Sequence, residues 1–367
     1  MTTPEHAGTA LPVNLHAYEA VAHERLPRMV YDYYAGGAND EILLRESRTA
    51  WDDVRIRYRV LRDVSQRDLA TTINGHRLEW PVMVAPMAFQ QMATPEGEVA
   101  TARATAAAGS GMILSTLSNR TIEDVRAASN GLVWFQLYIY RDRGVTAELV
   151  RRAERAGCTA LVLTVDTPIL GRRERDLLNR FHVPSEFAAP NLGVDMRATL
   201  GAQENMSSAL AQFILHHWDA GIAWKDLAWL RSITSLPIYV KGVVRDDDAV
   251  MALEHGATGI IVSNHGGRQL DTAVPTARAL GEVADAVQGR AEVLVDGGIR
   301  RGTDVLKALA LGANAVLLGR PILWGLAANG EAGARHVLQL LRDEVDLAFA
   351  LAGVRTPAEA TRDLIAP

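Results

Sequence analysis

Short apolar runs recur along the chain, each closed by a turn or polar residue and followed by a helix-like stretch. They cover residues 81–85, 112–114, 133–138, 160–165, 237–240, 259–262, 292–295 and 315–318. Continuous apolar, β-branched segments of this length suit strands buried on both faces. The stretches between them predict helices. Residues 95–108 are rich in Ala and Glu and halt at Gly109; residues 148–156 end at Gly157, where a C′ glycine closes a helix. Residues 246–255 open on three aspartates, which favour a helix N-terminus, and stop at Gly256; residues 303–311 stop at Gly312. Eight strands alternating with helices predict a parallel sheet. Eight units are the count of a (β/α)8 TIM barrel. Strand counting alone leaves a doubly wound sheet as the alternative.

Two segments fall outside this repeat. Residues 14–80 predict an N-terminal extension, helical at first and then irregular. Residues 174–225 separate the fourth and fifth strands, a length that reads as a lid-like insertion. Within it, residues 191–208 are polar and rich in Gly and Ala, so mobility is expected there.

Composition narrows the class. The chain has 367 residues, 48% hydrophobic and 22% charged, which is a globular balance. The length suits two average domains, but barrels of this class run past 200 residues as one, and residues 1–367 are read as a single domain. A formal charge of −5 lacks the electrostatic footprint of a nucleic-acid binder. One cysteine, Cys158, leaves no internal disulfide framework and no thiolate-rich metal site, and no metal is expected. No signal peptide or membrane-spanning run is read, so a soluble cytoplasmic protein without a membrane partner is expected.

Candidate chemistry collects at the strand ends, where barrels of this class place their active sites. They carry Pro86–Met87–Ala88, Ser115, Gln136 with Tyr138, Thr164 with Asp166, Lys241, Ser263–Asn264–His265, Asp296–Gly297–Gly298 with Arg300, and Gly319–Arg320. The last two groups read as a phosphate site, with glycines for close backbone approach and two guanidiniums for the dianion. No GxGxxG, P-loop or HExxH pattern occurs, and His216–His217 reads as structural or exposed. In SNHGGRQLD at 263–271 a buried strand delivers an imidazole, two glycines and an arginine. His265 suits a general base and Arg268 a carboxylate clamp, with Arg173 as a second guanidinium. Asp166 suits a partner for the imidazole. Lys241 suits a positive charge beside an electron-rich cofactor ring.

Together, SNHGGRQLD at 263–271, LTVDTPILGRRERD at 163–176, DGGIRRGTDVLKALALGA at 296–313, GRP at 319–321, VYDYYAGGA at 30–38, VAPMAFQQM at 84–92 and WFQLYIY at 134–140 resemble the FMN-dependent (S)-2-hydroxy-acid oxidase family. The resemblance runs from about Asn14 to the C-terminus. It implies FMN as cofactor, held by Pro86, Met87, Ala88, Ser115, Gln136, Tyr138, Thr164, Lys241 and Ser263, with the phosphate on Asp296, Gly297, Gly298, Arg300, Gly319 and Arg320. It implies His265 as the proton acceptor with Asp166 as its partner, Arg173 and Arg268 at the substrate carboxylate, Tyr33 and Tyr138 as active-site tyrosines, and Lys241 near flavin N1. The reaction is either hydride transfer from C2 with His265 taking the hydroxyl proton, or a carbanion route; the residues leave both open.

The resemblance also bears on the acceptor. Ala88 stands where the family's oxidases tend to carry alanine and its dehydrogenases glycine. With no haem domain expected ahead of the barrel and no apolar membrane insert expected after strand four, this favours O2 as acceptor and hydrogen peroxide as product. A dehydrogenase using a quinone or cytochrome is the alternative. Leu117 stands where glycolate oxidases usually carry tryptophan, and a smaller side chain relaxes the pocket near the substrate's C3. Discrimination of one methyl is worth only about 1–3 kcal/mol, so L-lactate ranks first and glycolate second, with mandelate left possible. The family commonly forms homotetramers, so a homo-oligomer is expected.

Overall fold

A computed structural model of the protein describes residues 11–183, 190–192 and 209–367. The chain opens on α1 (Leu15–Arg25), α2 (Arg28–Ala35) and α3 (Ile42–Asp53). Asn14 starts α1, its side-chain oxygen accepting from the Ala17 N–H at 2.8 Å. After an irregular stretch, β1 (Thr71–Ile73) and β2 (His76–Leu78) pair as an antiparallel hairpin. The turn is Asn74–Gly75, both at positive φ (50° and 73°), the backbone a two-residue hairpin demands. The hairpin lies within the part of residues 14–80 expected to be irregular.

The eight apolar runs become β3 (Val82–Val84), β4 (Gly111–Leu114), β5 (Leu132–Leu137), β6 (Leu161–Thr164), β7 (Ile238–Val243), β8 (Gly259–Val262), β9 (Glu292–Val295) and β10 (Ala315–Leu318). They close into a parallel barrel in sequential order, with Val316 of β10 registered against Val82 of β3. Closure excludes the doubly wound sheet. The runs are apolar throughout because alternate residues serve two cores. One set, including Met83, Ile113, Val162, Ile261, Leu294 and Leu317, fills the barrel interior. The other set, including Val84, Leu114, Leu163 and Val262, packs outward on the helices.

Trp134 stacks on Tyr239 inside the barrel, ring centroids 4.4 Å apart, and both are buried. Such a pair contributes about 0.5–1.5 kcal/mol beyond the area it buries. The Tyr239 hydroxyl donates to Glu292 Oε2 at 2.5 Å, and Asn74 N–H donates to Glu292 Oε1 at 2.8 Å. Ile73 and Leu78 join the same interior cluster, so the hairpin plugs the end of the barrel away from the strand C-termini.

The helices are α4 (Glu98–Ala107), α5 (Ile122–Ala127), α6 (Arg143–Ala156), α7 (Glu174–Leu178), α8 (Ala209–His217), α9 (Trp224–Ser232), α10 (Asp246–Glu254), α11 (Thr276–Val287), α12 (Gly302–Ala310) and α13 (Arg320–Ala352). Two predicted starts shift. α4 begins three residues later than expected, after a turn, and α6 five earlier, where Asp142 caps it by accepting from Gly144 N–H at 2.8 Å. The three aspartates do open α10. Of the proposed lid, α7, the turn Pro190–Leu192 and α8 are described. The mobility expected for residues 191–208 falls, from 193 on, outside the described residues. His216 is exposed and His217 packs on Phe213, and no metal-binding group of side chains occurs among the described residues. Among them, too, no helix is long and apolar enough to cross a membrane.

Candidate active site

A cleft with a cavity volume of about 170 Å3 lies over the C-terminal ends of the barrel strands. Parallel strands aim the residue after each C-terminus into the same space, so side chains distant in sequence meet there. Pro86, Met87, Ala88, Ser115, Leu117, Gln136, Tyr138, Thr164, Arg173, Lys241, His265 and Arg268 all line it, as do Tyr33, Asp296, Gly297, Gly298, Arg300, Gly319 and Arg320.

His265 follows β8 with φ at +55°, a left-handed backbone that turns its ring into the cleft. Its Nδ1 lies 2.8 Å from Asp166 Oδ1, and Thr167 Oγ1 is 3.2 Å from the same nitrogen. Burial, helped by Lys241 and Arg173, holds His265 below the ordinary histidine value against the pull of Asp166. For Asp166, burial pushes upward, but His265 and Lys241 outweigh it and its net shift is down. The pair is therefore a neutral imidazole oriented by a carboxylate, with Nε2 as the nitrogen left to accept a proton.

Lys241 is 4% exposed, and its Nζ lies 3.0 Å from Asp296 Oδ2 and donates to Ser263 Oγ at 2.8 Å. Burial lowers its pKa, but Asp296 and Asp166 reverse the sign and keep it charged. Ser263 Oγ also accepts from the His265 backbone N–H at 3.1 Å. Ser263, expected to touch the cofactor, does not line the cleft but supports Lys241 and His265, while Asp166 lies against His265, the imidazole it was expected to partner. Asp296, expected among the cofactor contacts, lines the cleft beside Gly297 and Gly298 and is also the ion-pair partner of Lys241.

The guanidiniums form one cluster. Arg173 is pushed down to about 10 by burial and by Arg268. Arg320 is pushed down to about 9 by burial and by Arg268 and Arg300, and Arg300 is lowered by burial with a contribution from Arg48. So much positive charge in one cleft calls for anions. Arg268 Nη1 donates to the carbonyls of Tyr33 (2.6 Å) and Gly36 (2.9 Å). Arg320 donates through Nε to Tyr34 O (2.9 Å) and through Nη2 to Gly36 O (3.0 Å). The carbonyl end of α2 thus holds both arginines, as a helix C-terminus favours cations. The Tyr33 ring stacks on Phe181 at 4.1 Å and lies 5.0 Å from the Arg268 guanidinium carbon.

The loop after β9 packs on α3. Arg48 Nη1 donates to Gly298 O at 3.0 Å and Trp51 Nε1 to Gly297 O at 2.7 Å. Gly298 has φ +80°, and a Cβ there would lie 1.8 Å from the Ser47 carbonyl oxygen. Gly298→Ala is expected to lose about 2–6 kcal/mol, from left-handed strain and overpacking together. Thermal unfolding of the purified variant and its ability to retain ligand check this; an unchanged Tm refutes it.

Several polar atoms around the cleft are buried without a partner among the described residues: Gln136 Nε2, Thr164 Oγ1 and Asp296 Oδ1. The other end of the Gln136 amide is occupied, Oε1 accepting from Thr116 N–H at 3.2 Å. Unpaired donors and acceptors on one side and glycines with two arginines on the other fit a ligand with a polar-edged ring, hydroxyls and a phosphate. The sequence reading missed Thr167, Leu170, Leu210, Ile214 and Trp218, which also line the cleft. The last three come from the long connection after β6, where no strand-end rule applies.

Residues 22–367 match the family model described as FMN-dependent dehydrogenase. The chain is 52% identical over 354 residues to a glycolate oxidase of Spinacia oleracea, covering 96% of this chain and 95% of that one. It is also 52% identical to glycolate oxidase 3 of Arabidopsis thaliana, covering 95% and 94%. A crystal structure of mandelate oxidase with (S)-4-hydroxymandelic acid superimposes with a TM-score of 0.92 at 45% identity, covering 96% of this chain and 98% of that one.

Proposed function

The chain belongs to the FMN-dependent dehydrogenase family, and on that premise we propose that it oxidises short L-2-hydroxy acids, L-lactate first and glycolate next, with O2 as acceptor and hydrogen peroxide as product. FMN is its cofactor, and 2-hydroxy-acid oxidation is its reaction class. The observation that carries the assignment is the His265–Asp166 pair facing a cleft that also holds Arg173 and Arg268. A base, a carboxylate clamp and a cofactor cradle then share one space.

When bound, FMN supplies the two-electron acceptor for the substrate C2–H bond. Gln136, Thr164 and Asp296 have the unpaired polar atoms to hold its ring edge and hydroxyls. Arg300 and Arg320, with Gly297, Gly298 and Gly319, are placed to hold its phosphate. Lys241, kept charged by Asp296, would place a positive charge beside the ring. Arg173 and Arg268 fix the substrate carboxylate. His265 Nε2 takes the C2 hydroxyl proton, and Asp166 stabilises the imidazolium that results. The leucines at 117, 170 and 210 with Ile214 offer apolar surface to the methyl of lactate, which glycolate lacks. Ala88 in the cleft and the oxidase names of the relatives favour O2 as acceptor.

The base works only when neutral. Because His265 lies below its ordinary 6.5, it is already neutral at pH 7, and activity falls only as acid carries the pH through that lowered value. kcat/KM for L-lactate against pH is expected to show its acid limb below 6.5; a limb above it contradicts this environment for the base. The spectrum of the purified protein under anaerobic conditions tests the function itself. Bleaching by L-lactate with rapid recovery in air supports a lactate-using oxidase. Bleaching without recovery points to another acceptor, and bleaching by mandelate alone to an aryl substrate.

A further inference from the structure

Trp218 follows α8 and belongs to the long connection after β6, outside the strand ends that supply the acid–base chemistry. Its backbone is tied to the segment leaving β5. Arg141 N–H donates to His217 O at 2.9 Å, and Asp219 N–H to Ile139 O at 3.0 Å. Trp218 and Tyr140 form an antiparallel bridge, and Arg141 Nε donates to Trp218 O at 3.1 Å. Arg143 adds an ion pair to Asp219 at 2.7 Å. This short ladder fixes where the indole emerges.

The indole lies on the Tyr138 ring with centroids 3.6 Å apart and planes 21° from parallel. Trp218 is only 4% exposed, yet it lines the cleft, so its ring is wall rather than surface. Among the other apolar wall residues, Leu117, Leu170, Leu210 and Ile214 are branched aliphatics with rotamer freedom. A stacked indole on an anchored backbone is the stiffest part of that wall, because no small rotation clears it from the space beside Tyr138.

We propose that Trp218 is a specificity-determining residue: its indole, pinned on Tyr138, caps the space for the substrate's C3 substituent and keeps it to small groups. This rests on the reading of the chain as an oxidase of short 2-hydroxy acids and names the residue that makes it short. Trimming the ring opens apolar volume beside Tyr138 into which a branched or aryl substituent fits, while lactate loses contact.

The test compares the FMN-loaded native protein with Trp218→Ala and Trp218→Phe. Anaerobic flavin reduction is followed against L-lactate, L-2-hydroxyisocaproate and (S)-mandelate. Binding of pyruvate and benzoylformate is measured separately, from the shift each causes in the flavin spectrum. In the native protein lactate is the best substrate. Trp218→Ala is expected to raise the mandelate-to-lactate ratio of kcat/KM about tenfold or more, the lower bound for opening an apolar pocket, and to shift the two binding constants in the same direction. Trp218→Phe, which keeps a stacked ring, gives a smaller shift of the same sign. If Trp218→Ala does not retain FMN, Trp218→Phe decides by the sign of its shift. Native protein that takes mandelate as readily as lactate, or variants with the native ratio, overturns the proposal. Native protein that no 2-hydroxy acid bleaches overturns the functional reading instead.

Discussion

His265→Gln is expected to yield a yellow protein that its substrate no longer bleaches. The variant keeps the residues proposed to hold cofactor: Lys241, Gln136, Arg300 and Arg320 have their hydrogen bonds elsewhere than the His265 side chain. Its backbone also carries little new strain, since both residues pay for the same φ of +55°. What disappears is the neutral base that, among the described residues, faces the cleft with a carboxylate behind it. Removing a positioned base costs about 10²–10⁴-fold, so flavin reduction by L-lactate in a stopped-flow instrument should fall by at least ~10²-fold with FMN content unchanged. Reduction at the native rate would remove His265 from the base role. Loss of FMN would show that the ring is structural.

Arg320→Met is expected to separate cofactor binding from folding. Arg320 is crowded by Arg268 and Arg300, and burial with that crowding pushes it down to about 9. Its charge is opposed by the neighbouring arginines and offset by Glu19 and by the Tyr34 and Gly36 carbonyls. A phosphate dianion reverses that balance. Losing one partner of a desolvated charge pair costs about 2–5 kcal/mol. FMN affinity should therefore drop on the order of 10²–10³-fold, within the range that energy gives. The FMN-free variant should unfold at a temperature no lower than the FMN-free native protein, because a like charge has left the cluster. Titration of FMN into both proteins, with thermal unfolding of each, checks the two halves. A large fall in the Tm of the FMN-free form would mean that Arg320 serves the fold first.

The barrel was legible because each strand has to be apolar on both faces, and that leaves continuous runs such as residues 259–262 and 292–295, which coincide with β8 and β9. Chemistry at the strand ends was legible for the same reason: a polar residue closing a buried run, like Lys241 or His265, has only the rim to go to. The hairpin was missed although Asn74–Gly75 announces it, because its two strands are three residues each. α6 was shortened because its cap, Asp142, precedes a polar first turn. The ion pair of Asp296 with Lys241 had no signal, because sequence adjacency to Gly297 and Gly298 says nothing of a lysine two strands away. Trp218 and Phe181 had no signal at all. They sit in a connection without periodicity, and only the folded chain shows that each covers a tyrosine ring.

Arg268 and Arg320 share one acceptor, the carbonyl of Gly36. The groups that aim both guanidiniums belong to the main chain, and a point mutation replaces side chains while leaving a peptide oxygen in place. Divergence within such a scaffold therefore has unequal freedom. The carbonyl that aims both guanidiniums survives any change of side chain at its own position, although each guanidinium is lost with its own arginine. The apolar wall is written residue by residue and is free to drift. On the proposed reading, new substrates arise by exchanging hydrophobic bulk, while a laboratory lineage selected on neutral alcohols has to give up Arg268 and with it one of the two guanidiniums tied to the end of α2.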